Sequence, residues 1–312
     1  MPPKVLVICG PTATGKTKLA VELALRYDGE VVSADSMQIY RRMDIGTAKP
    51  TPEEMQGVPH HMLNVAEPQE NYSVARYVEQ ASACVDDILA RGKLPIVAGG
   101  TGLYLDSLLS GRKFASFAGG VRARLQQRVE QEGIQQLYDE LKAVDPERAE
   151  KLHLADEKRI LRALEIFYET GKTMTEHDAE DAKRPPRYEA LTLALSFEDR
   201  AHLRARIDQR VDGMMAAGLV DEVRALIASG VPAACTAMQA IGYKELTGAL
   251  RGERSLSEAV EEVKLRSRQY AKRQLTWFQR NHSTHWLLWE KYPDFPKAVH
   301  RSTEYMEEFG LL

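Results

Sequence analysis

The chain has 312 residues, 44% apolar and 28% charged, with 42 Lys and Arg against 45 Asp and Glu for a net charge of −3. That length and apolar content suffice for a buried core and imply roughly two domains, and they exclude a disordered or collagen-like polymer. So little net charge, if spread evenly, also excludes a simple basic nucleic-acid binder.

Short apolar runs rich in β-branched residues predict strands over residues 4–9, 30–33, 61–65, 94–98, 191–197 and 284–289. Helical periodicity over 16–27 and 74–92 separates the early ones, and this alternation implies a parallel sheet covered on both faces. Gly111, Gly119 and Gly120 mark a change of character. Helical patterns over 121–131, 134–144, 146–152 and 157–170 follow, with no strand pattern from about residue 111 to 187. Residues 171–187 are polar, carry Pro185-Pro186 and predict an exposed loop or mobile arm. The sheet resumes at Leu191, and long helical patterns occupy 200–218, 220–230 and 257–280. The expected organisation is a discontinuous core, 1–111 with 188–312, interrupted by a helical insertion over 112–187.

Cys9, Cys84 and Cys235 are far apart and form no CxxC pair, which excludes a disulfide framework or zinc ribbon and fits a reducing compartment. No apolar run approaches the roughly 18 residues of a membrane helix. The segment before Gly10 is too short for a signal peptide, so the expected location is cytoplasmic.

Gly10-Pro11-Thr12-Ala13-Thr14-Gly15-Lys16-Thr17 matches G-x-x-x-x-G-K-[ST] between a strand and an amphipathic helix. Glycines let the backbone N–H groups turn inward around phosphate oxygens at a positive helix N-terminus. Lys16 adds a point charge, and the Thr17 hydroxyl can hold Mg²⁺. A di- or triphosphate is the expected ligand. A nucleotide-hydrolysing enzyme would add a strand ending in Asp, but the 94–98 run leads into Gly99-Gly100-Thr101-Gly102-Leu103-Tyr104. ATP hydrolysis is therefore not the expected chemistry.

The 30–33 run leads into Ala34-Asp35-Ser36-Met37-Gln38-Ile39-Tyr40. Ligands of open parallel sheets bind beyond the strands' carboxyl ends, so Asp35 and Thr101 are expected to face the phosphate site. Asp35 is open to three readings, a Mg²⁺ ligand, a general base or a cap, and taken alone a cap is the commoner role. Thr101 taken alone is more often a turn residue than a catalytic one.

Several blocks, in order, resemble the tRNA dimethylallyltransferases, also called tRNA isopentenyltransferases. They are residues 10–17, 35–40, Asp-Ile-Gly-Thr-Ala-Lys at 44–49, Pro-His-His at 59–61, 99–105, 156–165, 240–245 and 270–277. The phosphate loop alone is common to many enzymes; the combination, over nearly the whole chain, is specific. No Cys₂His₂ finger follows, so the chain resembles the bacterial form, and residues 115–120 depart from the proline-rich stretch expected there.

The resemblance implies an α/β fold: a P-loop NTPase-like parallel sheet with helices on both faces, plus an inserted all-helical domain. It implies transfer of a dimethylallyl group from dimethylallyl diphosphate to N6 of adenosine 37 in tRNA, giving N6-isopentenyladenosine. Gly10, Thr12, Ala13, Thr14, Gly15, Lys16 and Thr17 would hold the leaving diphosphate, with Mg²⁺ on Thr17, and Arg206 or Arg210 would clamp it. Asp35 would take the amine proton, and Thr101 would contact the reacting end. The implied tRNA-facing residues are Asp35, Ser36, Met37, Gln38 and Thr101; Arg159, Ile160, Leu161, Arg162 and Ala163; Ala240, Ile241, Gly242, Tyr243, Lys244 and Glu245; and Arg273, Gln274, Trp277 and Arg280. The insertion and its arm would embrace the anticodon stem. The expected partners are tRNA and dimethylallyl diphosphate, with no membrane, and a monomer is expected because one tRNA must be gripped.

Residues 264–280 hold six basic residues and no acidic one, so the other 295 carry −9. Arg266, Tyr270, Arg273 and Trp277 share a helical face. Basic residues interleaved with aromatics suit phosphate contact and base stacking, although a solvated basic face over a core is the commoner meaning of such a helix. Charge segregated in this way removes the opening objection to nucleic acid. Because N6 is engaged in a paired base, the target must be extruded. Three rivals are a small-molecule kinase with the same loop, an enzyme prenylating free AMP, and a nucleotide-regulated RNA-binding protein without chemistry. The missing strand-terminal Asp weighs against the first, the basic aromatic helix against the second, and Asp35 with Thr101 against the third. His60 and His61 are expected to be structural, His282 and His285 surface or turn residues, Cys9 core, and Met37 and Met238 packing.

Overall fold

The structure, a computed structural model, describes residues 2–112, 114 and 120–312. The glycine at 119 and most of the block at 115–120 fall outside the described residues. The chain divides into two compact units, residues 1–111 with 187–312, and residues 112–186.

The first unit begins with β1 (Lys4–Cys9), α1 (Lys16–Arg26), β2 (Gly29–Ser33), the single turn α2 (Pro52–Met55), β3 (His60–His61), α3 (Val74–Ala90), β4 (Leu94–Ala98) and α4 (Gly102–Ser110). The second unit contains α5 (Gly120–Glu132), α6 (Ile134–Val144), α7 (Pro146–Glu150), α8 (Glu157–Thr170) and α9 (Met174–Ala182). The first unit resumes with β5 (Glu189–Phe197), α10 (Arg200–Ala216), α11 (Leu219–Ala228), α12 (Tyr243–Leu250), α13 (Leu256–Phe278), β6 (His285–Trp289) and α14 (Phe295–Phe309).

The six strands form one sheet in the order β3-β2-β4-β1-β5-β6, with every pairing parallel. Val5 to Cys9 are buried, the unbroken apolar pattern of a strand covered on both faces, and β2 is buried throughout although it carries Glu30 and Ser33. The chain leaves β1 toward β2 on one side and reaches β5 on the other. The carboxyl ends around β1 and β4 thus form the switch point where such sheets bind ligands. Leu6, Ile8, Leu19, Leu23, Ile96 and Leu195 are among the residues that weld sheet and helices into one core.

The helical unit has its own core, including Leu125, Leu137, Leu141, Ile160 and Leu164. Asp145, 3% exposed, is satisfied by the Arg148 and Thr175 backbone N–H groups and by the Thr175 hydroxyl, tying the start of α7 to α9.

Three local readings are corrected. Residues 61–65 are not a strand beyond His61, because Met62 and Asn64 take left-handed backbone, φ 64° and 55°. The expected loop over 171–187 contains α9, opened by a capping box between Thr173 and Glu176. The C-terminal α14, unassigned from the pattern, buries Ala298, Val299, Ser302 and Met306. Among the described residues no helix is long and apolar enough to cross a membrane.

Candidate active site

The phosphate loop follows the last residue of β1. Its φ angles are 127° at Gly10, 65° at Ala13 and 90° at Gly15. A Cβ at Gly10 would also overlap the Leu195 carbonyl of the neighbouring strand, so glycine is required there. Five side chains among the described residues hold the loop's backbone, the Thr14 hydroxyl among them, donating to the Pro11 carbonyl at 2.9 Å. The Lys16 ammonium donates to the Pro11 carbonyl at 2.7 Å, Arg206 Nε to the Ala13 carbonyl at 3.3 Å, and Trp289 Nε1 to the Thr14 carbonyl at 2.8 Å. Gln274 Oε1 accepts from the Thr12 N–H at 3.0 Å while its Nε2 donates to the Gly100 carbonyl at 2.9 Å. Those two partners, one donor and one acceptor, fix the amide's orientation. Burial, reinforced by the Arg210 charge, pushes the Lys16 ammonium down to about 8, with Asp35 pulling the other way. Burial likewise lowers Arg210, against the opposing influence of Asp35. Lys16, Arg206, Arg210 and Asp35 therefore form one electrostatic cluster around the loop.

Asp35 and Thr101 lie just beyond the paired strands β2 and β4. One carboxylate oxygen of Asp35 accepts from the Met37 and Gln38 N–H groups at 2.8 and 3.3 Å, capping the turn over residues 36–39; no helix follows, so the expected helix cap is a turn cap instead. The other makes no hydrogen bond among the described residues. Thr101 Oγ1 accepts from Ser36 N–H at 3.1 Å, linking the two loops. The Tyr270 hydroxyl lies beside Thr101 and Gln274, and burial pushes it up to about 12. The glycines flanking Thr101 have a steric cause. A Cβ at Gly99 would overlap the Ala34 backbone, at Gly100 the Gln274 amide and at Gly102 the Trp277 ring. The run after β4 thus packs tightly against the β2 loop and α13.

The 44–49 block is held from α11. The Glu222 carboxylate accepts from the N–H groups of Asp44, Ile45 and Gly46 at 2.8, 2.8 and 3.1 Å and from the Tyr243 hydroxyl at 2.5 Å. Lys49, buried, donates to the Tyr40 carbonyl, Asp44 and Asn64. Gln38 in turn donates to the Thr47 and Ala48 carbonyls at 3.3 and 3.1 Å.

The residues put forward for tRNA sort into two groups. Ile160, Leu161, Ala163, Gly242, Tyr243, Glu245 and Gln274 have buried side chains or positions and hold structure together. Arg159, Lys244, Arg273 and Arg280 are exposed, and Arg162 is partly exposed and pairs with Glu165 at 2.8 Å. On α13, Lys264 pairs with Asp212 at 2.8 Å, Arg266 with Glu262 at 2.6 Å and Arg268 with Asp208 at 2.6 Å. Lys272, Arg273 and Arg280 have no carboxylate partner among the described residues. Arg273 lies 5.6 Å over the Tyr270 ring and Arg280 5.3 Å over the Trp277 ring. A cavity of about 750 Å³ between α12 and α13 is lined by Ile241, Lys244, Arg251, Arg254 and Arg273, among others. A smaller one of about 350 Å³ is lined by Cys9, Asp106, Trp277 and Arg280 with apolar neighbours.

His61 bonds to Glu30 at 2.8 Å beside Arg91, at the start of β2, a structural role. Among the described residues no group of three or more His, Cys, Asp or Glu could hold a metal ion. Sequence reasoning missed Trp289 and Phe295 beside the loop and Glu222 beneath the 44–49 block. Trp289 lies 275 positions from Thr14, and at the end of an apolar strand it reads as core.

The profile of a family described as IPP transferase matches residues 38–281. The chain is 46% identical to the tRNA dimethylallyltransferase of Acetivibrio thermocellus over 98% of both chains. It is 47% identical to that of Bacillus cytotoxicus over 91% of this chain and 90% of the relative. Among solved structures it is similar to a tRNA isopentenylpyrophosphate transferase from Staphylococcus epidermidis, with 39% identity, a TM-score of 0.73, and 98% and 99% of the two chains covered. It is also similar to a eukaryotic dimethylallyltransferase acting on tRNA, with 31% identity and a TM-score of 0.82 over 98% of this chain and 80% of that one. A glycine loop beside Lys16, Arg206 and Arg210, a carboxylate and hydroxyl nearby and this likeness along the whole length lead to one conclusion: the chain belongs to the tRNA dimethylallyltransferase family.

Proposed function

We propose that the protein transfers the dimethylallyl group of dimethylallyl diphosphate to N6 of adenosine 37 in tRNA. The observation that carries this reading is the convergence of Asp35, beyond β2, and Lys16, beyond β1, with Arg206 and Arg210 of α10, at the end of the sheet where β4 lies between those two strands. A diphosphate leaves as a polyanion, so donors aimed at the developing charge lower the barrier. The loop N–H groups, Lys16 and the two arginines supply them. The exocyclic amine is a weak nucleophile, and the Asp35 oxygen not used in capping accepts its proton as the C–N bond forms. Thr101, linked to Ser36 and beside Tyr270, orients the reacting end.

Mg²⁺ fits this site through Thr17. Its hydroxyl, in the first turn of α1, has no hydrogen bond among the described residues, and diphosphate oxygens would complete the coordination. When bound, the ion would neutralise charge on the leaving group. Lys272 and Arg273 on α13, and Arg280 just after it, are exposed cations outside the helix's ion pairs and available to tRNA phosphates. The same reading makes the protein a cytoplasmic monomer that grips one tRNA.

The deciding assay supplies radiolabelled dimethylallyl diphosphate with tRNA, with AMP or with neither. Label on tRNA alone is expected; label on AMP or no transfer overturns the reading. Asp35→Ala is expected to lower kcat by about 10²–10⁴ with little change in tRNA affinity, since a general base acts only on the chemical step.

A further inference from the structure

Trp289 is the last residue of β6, is 4% exposed, and gives its only N–H donor of the ring to the Thr14 carbonyl. The carbonyl and the N–H of one planar trans peptide point to opposite sides. Anchoring the Thr14 carbonyl on the indole therefore turns the Gly15 N–H the other way. The neighbouring peptides are held by the same device, Pro11 through Lys16 and Ala13 through Arg206. Phe295 completes the brace. Its ring lies 5.5 Å from that of Trp289, centroid to centroid, and a Cβ on Gly15 would come within 2.7 Å of it. The Lys18 ammonium lies 4.4 Å over the Phe295 ring. Both aromatics lie outside the segment that matches the family profile, residues 38–281.

We infer that Trp289 is a positioning residue for the diphosphate: its indole N–H sets the Thr14–Gly15 peptide so that the Gly15 N–H faces the leaving group, with Phe295 as the backstop. The inference rests on the reading of residues 10–17 as the diphosphate site. Trp289 touches no substrate in this role. It lowers the cost of ordering the loop before the anion arrives.

Trp289→Phe keeps a packed ring and deletes the donor. Wild type and variant are titrated with inorganic pyrophosphate in Mg²⁺ by calorimetry, and separately with tRNA. The pyrophosphate Kd and the KM for dimethylallyl diphosphate are expected to rise about tenfold, equivalent to about 1.4 kcal/mol. The tRNA Kd is expected to stay at the wild-type level, while saturated turnover falls together with pyrophosphate affinity, because the Gly15 N–H meets charge that grows as the diphosphate leaves. A folded Trp289→Phe protein that binds pyrophosphate as the wild type does overturns the inference. A wild type that binds no pyrophosphate overturns the loop assignment and the inference with it. A second measurement needs no Trp289 variant. The three indole N–H resonances are assigned by elimination with Trp277→Phe and Trp286→Phe, and that of Trp289 is followed during the titration. A shift that tracks pyrophosphate binding is expected, and an unmoved resonance overturns the proposal.

Discussion

The phosphate loop and helix α13 both present positive charge, by different physical means. In the loop the backbone takes positive φ at Gly10, Ala13 and Gly15, and the full charge is that of the Lys16 ammonium. On α13 it sits on long side chains, and what those chains offer depends on what packs nearby. Asp212, Glu262 and Asp208 neutralise Lys264, Arg266 and Arg268, while Lys272, Arg273 and Arg280 have no carboxylate partner among the described residues. The formal +6 of this segment therefore overstates what an RNA would meet. Lys264 and Arg268 tie α13 to α10, Arg266 pairs within its own helix, and Lys272, Arg273 and Arg280 face outward.

Lys16 offers the sharpest test of that contrast. Lys16→Ala should lower dimethylallyl transfer by about 10²–10³, the cost of removing one donor from developing negative charge. Steady-state rates would show it, and tRNA binding by filter assay should be unchanged. A loss of tRNA affinity instead would break the division of labour between loop and helix.

Glu30 provides a reference for mere loss of stability, because it lies near the start of the strand that leads to Asp35. Hydrogen bonds from Arg91, then His61, hold its carboxyl down to about 2. A carboxyl lowered in the folded state contributes its full stability above its unfolded value of about 4.3 and loses it as pH falls toward 2. Glu30→Gln should lower Tm by about 2–8 °C near neutrality, as a loss of about 1–2 kcal/mol would. It should also flatten the acid limb of a Tm-versus-pH curve measured by calorimetry, with kcat at 25 °C unaffected.

The two parts of α13 give the smallest and most discriminating effects. Arg273→Ala should weaken tRNA binding by about threefold to tenfold and lower the slope of log K against log salt by about 1, as expected for one phosphate contact. Arg268→Ala should leave both unchanged and cost about 0–1 kcal/mol of stability, the range for a partly exposed ion pair. Equal effects on tRNA binding would show that the internal pairing of the first part does not matter.

Most of the sheet was legible locally. Strands buried on both faces appear as unbroken apolar runs, so β1 and β4 fall on the residues their pattern predicts, Lys4–Cys9 and Leu94–Ala98. β3 was overestimated because left-handed turns at Met62 and Asn64 do not alter the apolar count. α9 was hidden by its polarity, and only its capping box announced it. At the site, residues 10–17 could be read because their chemistry is backbone chemistry encoded by adjacent residues. The dual role of Asp35, part cap and part free oxygen, could not be separated from the sequence, since both use the same side chain.

The sequence by itself determined the parallel α/β sheet, the glycine loop between β1 and α1 and the family, because each is written in contiguous residues and their order. The tertiary structure alone decided which charges remain outward on α13 and what holds the loop in shape. Gln274 reaches Thr12 across 262 positions and Trp289 reaches Thr14 across 275. No local periodicity records such bonds. They exist only once β1, β4, β5 and β6 lie side by side, and the donors and acceptors they bury must then find one another.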